Sequence, residues 1–141
     1  MRYLMILVVL SACGGNERDP SDPTNWYGDY ALEWTSSNAA ACDPDQRWLP
    51  TLMPVILKIT PSPDSYVCSA PMSCRIADGV GILFDRSGFH LDATMIIGVV
   101  ADTTATMLTD DGFRVDLPMA FYADGSAEYC LVDYRLTATR F

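Results

Sequence analysis

Along much of the chain, hydrophobic and polar residues alternate with a period of two. Tyr30, Leu32 and Trp34 alternate with Ala31 and Glu33, and Val55, Leu57 and Ile59 alternate with Ile56, Lys58 and Thr60. Phe113, Val115, Leu117, Met119 and Phe121 share one parity, opposite Arg114 and Asp116. Cys130, Val132, Tyr134 and Leu136 do the same, opposite Tyr129, Leu131, Asp133 and Arg135. Successive side chains of a strand point to opposite faces, so this period marks strands with one buried face.

Strands are therefore expected over 27–35, 55–60, 113–122 and 128–140, with shorter ones at 65–70, 73–78, 80–85, 89–93 and 105–108. Met95 to Ala101 is almost wholly apolar and reads as a central strand. Turn residues separate these runs: Ala77-Asp78-Gly79, Arg86-Ser87-Gly88, Asp110-Asp111-Gly112 and Ala123-Asp124-Gly125-Ser126. Pro118 has no backbone donor, so its strand is expected to be at an edge or bulged there. Residues 36–46 read as a loop, and Pro50 and Pro54 argue against a regular helix in the stretch that follows. No helical period is sustained anywhere. The fold class expected is all-β: a small antiparallel β-barrel or sandwich of about eight strands in mostly meander order.

The first residues follow a different pattern. Met1-Arg2-Tyr3 is a short charged start, Leu4 to Leu10 is an unbroken apolar run, and Ser11, Ala12 and Cys13 follow. A charged region, an apolar region and a small-residue cleavage site make a secretory signal. The run is short of the roughly 20 apolar residues that span a bilayer. Leu10-Ser11-Ala12-Cys13 resembles the lipobox of bacterial lipoproteins. The resemblance implies cleavage before Cys13 and lipidation of the Cys13 thiol and amino terminus, and hence a membrane as partner through its acyl chains. It also implies a cell-envelope location, with Gly14 in place of an inner-membrane aspartate pointing to the outer membrane. The expected organisation is a signal peptide at 1–12, a lipidated cysteine and flexible tether at 13–25, and a β-domain at 26–141.

Charge and cysteine count fit that reading. The formal net charge is −9, which opposes phosphate backbones and excludes nucleic acid as a natural partner. With Cys13 lipidated, Cys42, Cys68, Cys74 and Cys130 remain. An even number in an exported chain reads as two disulfides, with three possible connectivities. The favoured one is Cys68–Cys74 closing a local loop and Cys42–Cys130 tying the early domain to its last long strand. Zinc-type ligand clusters are missing from the sequence, where His90 is the one histidine. No metal or cofactor is expected.

Candidate chemistry is sparse. His90 and Asp92 fall on one parity of a strand and are expected to face solvent. No serine lies in a Gly-x-Ser-x-Gly elbow. The pairs Asp43/Asp45 and Asp110/Asp111, and the group Asp19, Asp22 and Asp29, read as turn and linker charge. Trp26, Tyr27 and Trp48 are expected to plug one end of the core, with a barrel mouth or a sugar-stacking surface as the alternative. Met53, Met95, Met107 and Met119 read as packing residues.

The function expected is a non-enzymatic binding or structural-interaction module with an envelope protein as partner. The alternative is a lipocalin-like carrier of a small apolar ligand, lined by Tyr30, Trp34, Phe84, Phe121 and Tyr134. The early tryptophans and a last strand ending in Arg140 resemble lipocalins, while the Gly-x-Trp motif of that family is replaced by Trp26-Tyr27-Gly28. An envelope hydrolase using His90 ranks below both.

Overall fold

The computed structural model describes residues 15–43, 53–63, 66–69, 71–77, 80–90, 94–123 and 125–141. Cys13, Asp45, Trp48 and Asp92 lie outside them. The described chain is all-β. Its strands are β1 (Glu17–Arg18), β2 (Gly28–Ser36), β3 (Ile56–Ile59), β4 (Cys74–Ala77), β5 (Gly81–Phe84), β6 (Ser87–His90), β7 (Met95–Val99), β8 (Thr103–Ala105), β9 (Leu108–Thr109), β10 (Gly112–Ala123) and β11 (Cys130–Arg140). One short helix, α1 (Ala39–Cys42), and a 3-10 turn at Pro23–Trp26 complete them.

Eight strands form a curled antiparallel sheet, a half-barrel, and β4, β5 and β8 form a second small sheet. The hairpin β10–β11 is the spine of the large sheet, paired from Gly112↔Thr139 to Phe121↔Cys130. On one side β11 pairs with β2, and β2 with β3. On the other side β10 pairs with β9 at its start and β7 at its end, and β6 pairs with β7. Neighbouring strands supply many of these pairings, but β2–β11, β7–β10 and β1–β9 join distant parts of the chain. The chain leaves β7 for the small sheet through β8 before it returns as β10 beside β7.

The two sheets are laced together at the edge of β3. Thr60 donates its N–H to the Val67 carbonyl at 3.0 Å, and Val67 donates to the Cys74 carbonyl at 2.9 Å. Ser69 donates to the Lys58 carbonyl at 2.9 Å. Within the expected strand at 65–70, whose two end residues lie outside the described ones, 66–69 contribute a bridge, Ile59↔Cys68. Disulfides join Cys68 to Cys74 and Cys42 to Cys130, with Cα–Cα separations of 5.2 and 5.6 Å. This is the connectivity favoured from the spacing.

The alternating residues of β10 and β11 fill the space between the sheets, as their period requires. Phe113, Val115, Leu117, Met119, Phe121, Val132, Tyr134, Leu136 and Ala138 are buried together with Leu57, Ile59, Ile82 and Phe84. Phe113 is the hub. Its ring meets Trp26 edge-on at 5.3 Å, Tyr30 at 5.2 Å and Phe84 at 6.3 Å between centroids. Pro118 fits the β10 edge for a simple reason. Its carbonyl accepts from Val100 on the β7 side, so the missing donor faces the same side, in the gap between β9 and β7.

Three expectations change. Residues 15–25, read as a flexible tether, lie along the domain: β1 pairs with β9, and Arg18 bonds Asp110 at 2.6 Å. Met107, read as a packing residue, is exposed, because the chain between β8 and β9 leaves the sheet there. Val55 shares parity with Leu57 and Ile59 yet is exposed, at the end of the β2–β3 ladder where its carbonyl still accepts from the Leu32 N–H at 2.9 Å.

Candidate binding groove

The aromatic residues proposed to line an interior cavity are packed instead into the core, Tyr30 and Phe84 against Phe113 and Trp34 against Tyr134. Tyr30, Phe84, Phe121 and Tyr134 are buried. Trp34 is half-buried, edge-on to Tyr134 at 5.7 Å, and its Nε1 donates to the Pro54 carbonyl. Trp26 is wholly buried, with Nε1 donating to the Pro20 carbonyl at 2.9 Å, so it plugs the core and offers no sugar-stacking face. Arg140 reaches the same turn: its Nη2 donates to the Asn25 carbonyl and to the Tyr30 hydroxyl. Tyr30 in turn donates to the Trp26 carbonyl at 2.7 Å.

The carboxylate groups are structural in the same sense. Asp110 and Asp111 in the turn before β10 hold the segment at 15–18. Arg18 and Asn16 bond Asp110, and the Gly15 N–H donates to Asp111. The Arg18 hydrogen bond holds the Asp110 carboxyl below its usual range. Asp19 and Asp22 accept from Ser21 and Thr24 within their own turns, and Asp29 faces Lys58 at 3.6 Å. Among the described residues no three metal-ligating side chains converge. His90 is exposed on β6, paired in register with Ile96.

Where β2 ends, a side chain continues the ladder. The β2–β11 pairing stops at Ser36↔Tyr134, and the Asn38 amide then takes the place of a strand residue. Its Oδ1 accepts from Asp133 N–H at 3.1 Å. The Cys42–Cys130 bridge pins α1 beside it, with Asp43 buried. Burial first, and the Asp43 charge second, push the Tyr134 hydroxyl up to about 12.

The large sheet carries its open face elsewhere. Registers place Gly88 on β6 opposite Gly98 on β7, Gly98 opposite Ala120 on β10, and Ala120 opposite Leu131 on β11. This row crosses four strands on the outward parity with almost no side-chain bulk until Leu131. Beside it runs the row His90, Ile96 and Tyr122. A Cβ placed on Gly88 would lie 3.5 Å from Oη of Tyr122 and 3.4 Å from Cγ2 of Ile96, so the tyrosine leans across the glycines. Ala120 is only 7% exposed despite its outward parity, whereas Tyr129 is 63% exposed. The result is an open groove of about 590 Å³ with a glycine floor, tyrosines to one side, and Arg86 and Val100 also on its lining.

Two other grooves flank the outward Asp116–Arg135 pair. That pair is satisfied internally by two hydrogen bonds, at 2.7 and 3.1 Å, which lower the Asp116 carboxyl and raise the Arg135 guanidinium from their ordinary values. The cation on the glycine groove's lining is Arg86, whose backbone N–H donates to the Asp102 carboxylate at 2.7 Å. Sequence reading missed the groove because its floor is assembled from single residues of separate strands. The signal available was the glycine and alanine at outward parity in otherwise β-branched or aromatic runs. No family model, no curated protein and no solved structure matches this chain.

Proposed function

We propose that the protein is a lipid-anchored domain of a bacterial cell envelope that binds a ligand on the outer face of its sheet and carries no reaction of its own. The glycine-floored groove beside exposed Tyr129 carries this reading, because a concave surface with aromatic lining is the ordinary form of a ligand site. The anchor rests on the lipobox-like Leu10-Ser11-Ala12-Cys13, and two disulfides support an oxidising compartment. An interior ligand is disfavoured, since Tyr30, Phe84 and Phe113 occupy the centre that an eight-stranded carrier would leave open.

The anchor is tested by labelling cells that express the chain with radioactive palmitate and separating their membranes. The expected result is a labelled, membrane-bound product that loses both properties in Cys13→Ser. Normal processing and membrane retention of Cys13→Ser would sink the proposal.

A further inference from the structure

We propose that the groove binds one sugar ring carrying an acidic group, as a free saccharide or the end of a short chain. The inference rests on the binding reading above and names its ligand class.

Three observations converge. The floor is low, because Gly88 and Gly98 contribute no side chain above the sheet, and what lies over Gly88 is the Tyr122 hydroxyl and Ile96. The lining is aromatic: Tyr122 leans its hydroxyl over Gly88, and exposed Tyr129 presents a ring with a hydroxyl at its tip, an apolar body joined to a polar handle. A pyranose has the matching surface, one face of C–H groups and a rim of hydroxyls. The groove is also of the size that holds such a ligand.

The third observation is charge. Arg18, Lys58, Arg75 and Arg135 each face an aspartate. Arg140 is spent on Asn25 and Tyr30, and Arg114 lies in the field of Asp116. Arg86 also lines the groove, and its guanidinium has no acidic partner among the described residues. Asp85 precedes Arg86 and the Asp102 carboxylate accepts its backbone N–H at 2.7 Å, so what Arg86 offers an acidic ligand is a guanidinium fork rather than a positive field. Its planar fork matches a carboxylate or phosphate. A long polyanion is disfavoured by the overall charge, so the ligand is short.

The test is a titration of the isotope-labelled protein, followed by its amide NMR spectrum, with trigalacturonic acid, galactose 6-phosphate and neutral maltotriose. The acidic probes are expected to shift amides of 86–88, 96–100, 120–122 and 127–131 and to bind about tenfold more tightly than maltotriose. The two acidic arms separate carboxylate from phosphate as the natural group. Arg86→Gln should abolish the acidic preference, and Tyr129→Ala should weaken all binding while leaving the spectrum dispersed. No groove shifts at 10 mM probe (about a hundredfold above a Kd near 0.1 mM), equal binding of acidic and neutral probes, or a preference that survives Arg86→Gln each overturns the assignment. Such a failure leaves the Cys13 labelling result untouched, so the two proposals fail separately.

Discussion

Arg140 and Tyr30 are joined twice: the Arg140 Nη2 donates to the Tyr30 hydroxyl at 2.6 Å, and its guanidinium carbon lies 5.2 Å from the centre of the same ring. Through the Asn25 carbonyl the same nitrogen also holds the turn that carries Trp26. Arg140→Ala should therefore lower stability by about 1.5–3 kcal/mol, the range for hydrogen bonds to a charged group. Urea unfolding measures it, with Trp26 fluorescence shifting to the red in the folded baseline. A loss under about 0.5 kcal/mol, the usual ceiling for a neutral surface change, would show that the latch holds nothing.

Phe113 supports three rings at once, so its removal leaves a void bounded by Trp26, Tyr30 and Phe84. Phe113→Ala is expected to cost about 3–5 kcal/mol, and Phe113→Leu distinctly less. Chemical denaturation of both variants gives the comparison. Equal losses would contradict the hub.

How far these features could be read from the sequence depends on the range of the interaction. The β10 and β11 faces were legible because alternation is local: Phe113 to Phe121 and Cys130 to Leu136 show it residue by residue. The disulfides were legible from cysteine number and spacing. The pairing of β2 with β11 was not, since Leu32↔Ala138 joins residues that share no local signal. Residues 15–25 misled for a related reason. Their polarity is that of a linker, but Arg18 finds Asp110 across 92 positions. The groove was hidden most fully. Gly88, Gly98, Ala120 and Leu131 become one surface only once three registers are fixed.

The two disulfides close loops of very different length, with sequence separations of 88 and 6. The chain-entropy model assigns about 4–5 kcal/mol to the Cys42–Cys130 bridge and about 2–3 to Cys68–Cys74. Paired Cys→Ala variants, one pair at a time, should show that order in guanidinium midpoints. A reversed order would mean that the short bridge does more than close a loop, by holding the segment at 66–69 between the sheets.

Tyr134 gives a pH signature. Its hydroxyl is pushed up to about 12 in the folded chain, by burial first and the Asp43 charge second. A raised folded value means that the stabilisation is complete below about 10, the ordinary tyrosine value, and is lost as pH rises toward 12. Absorbance at 295 nm should show one tyrosine titrating late, and Tyr134→Phe should remove that step. Persistence of the late step in Tyr134→Phe would reassign it to Tyr30, whose hydroxyl is also raised by burial.

The strand at the middle of the large sheet, β11, is made after both strands it pairs with, β10 and β2. Neither β10 nor β2 has its main partner until Cys130–Arg140 exists, and the Cys42 thiol waits for Cys130. A chain emerging from its amino end can form β4–β5, β6–β7 and β7–β10 early, but the β2–β11–β10 centre of the sheet waits for Cys130–Arg140. That centre closes late and slowly, as topologies rich in distant pairings do. The order of the strands acts as a delay, since the large sheet cannot close before β11 has emerged.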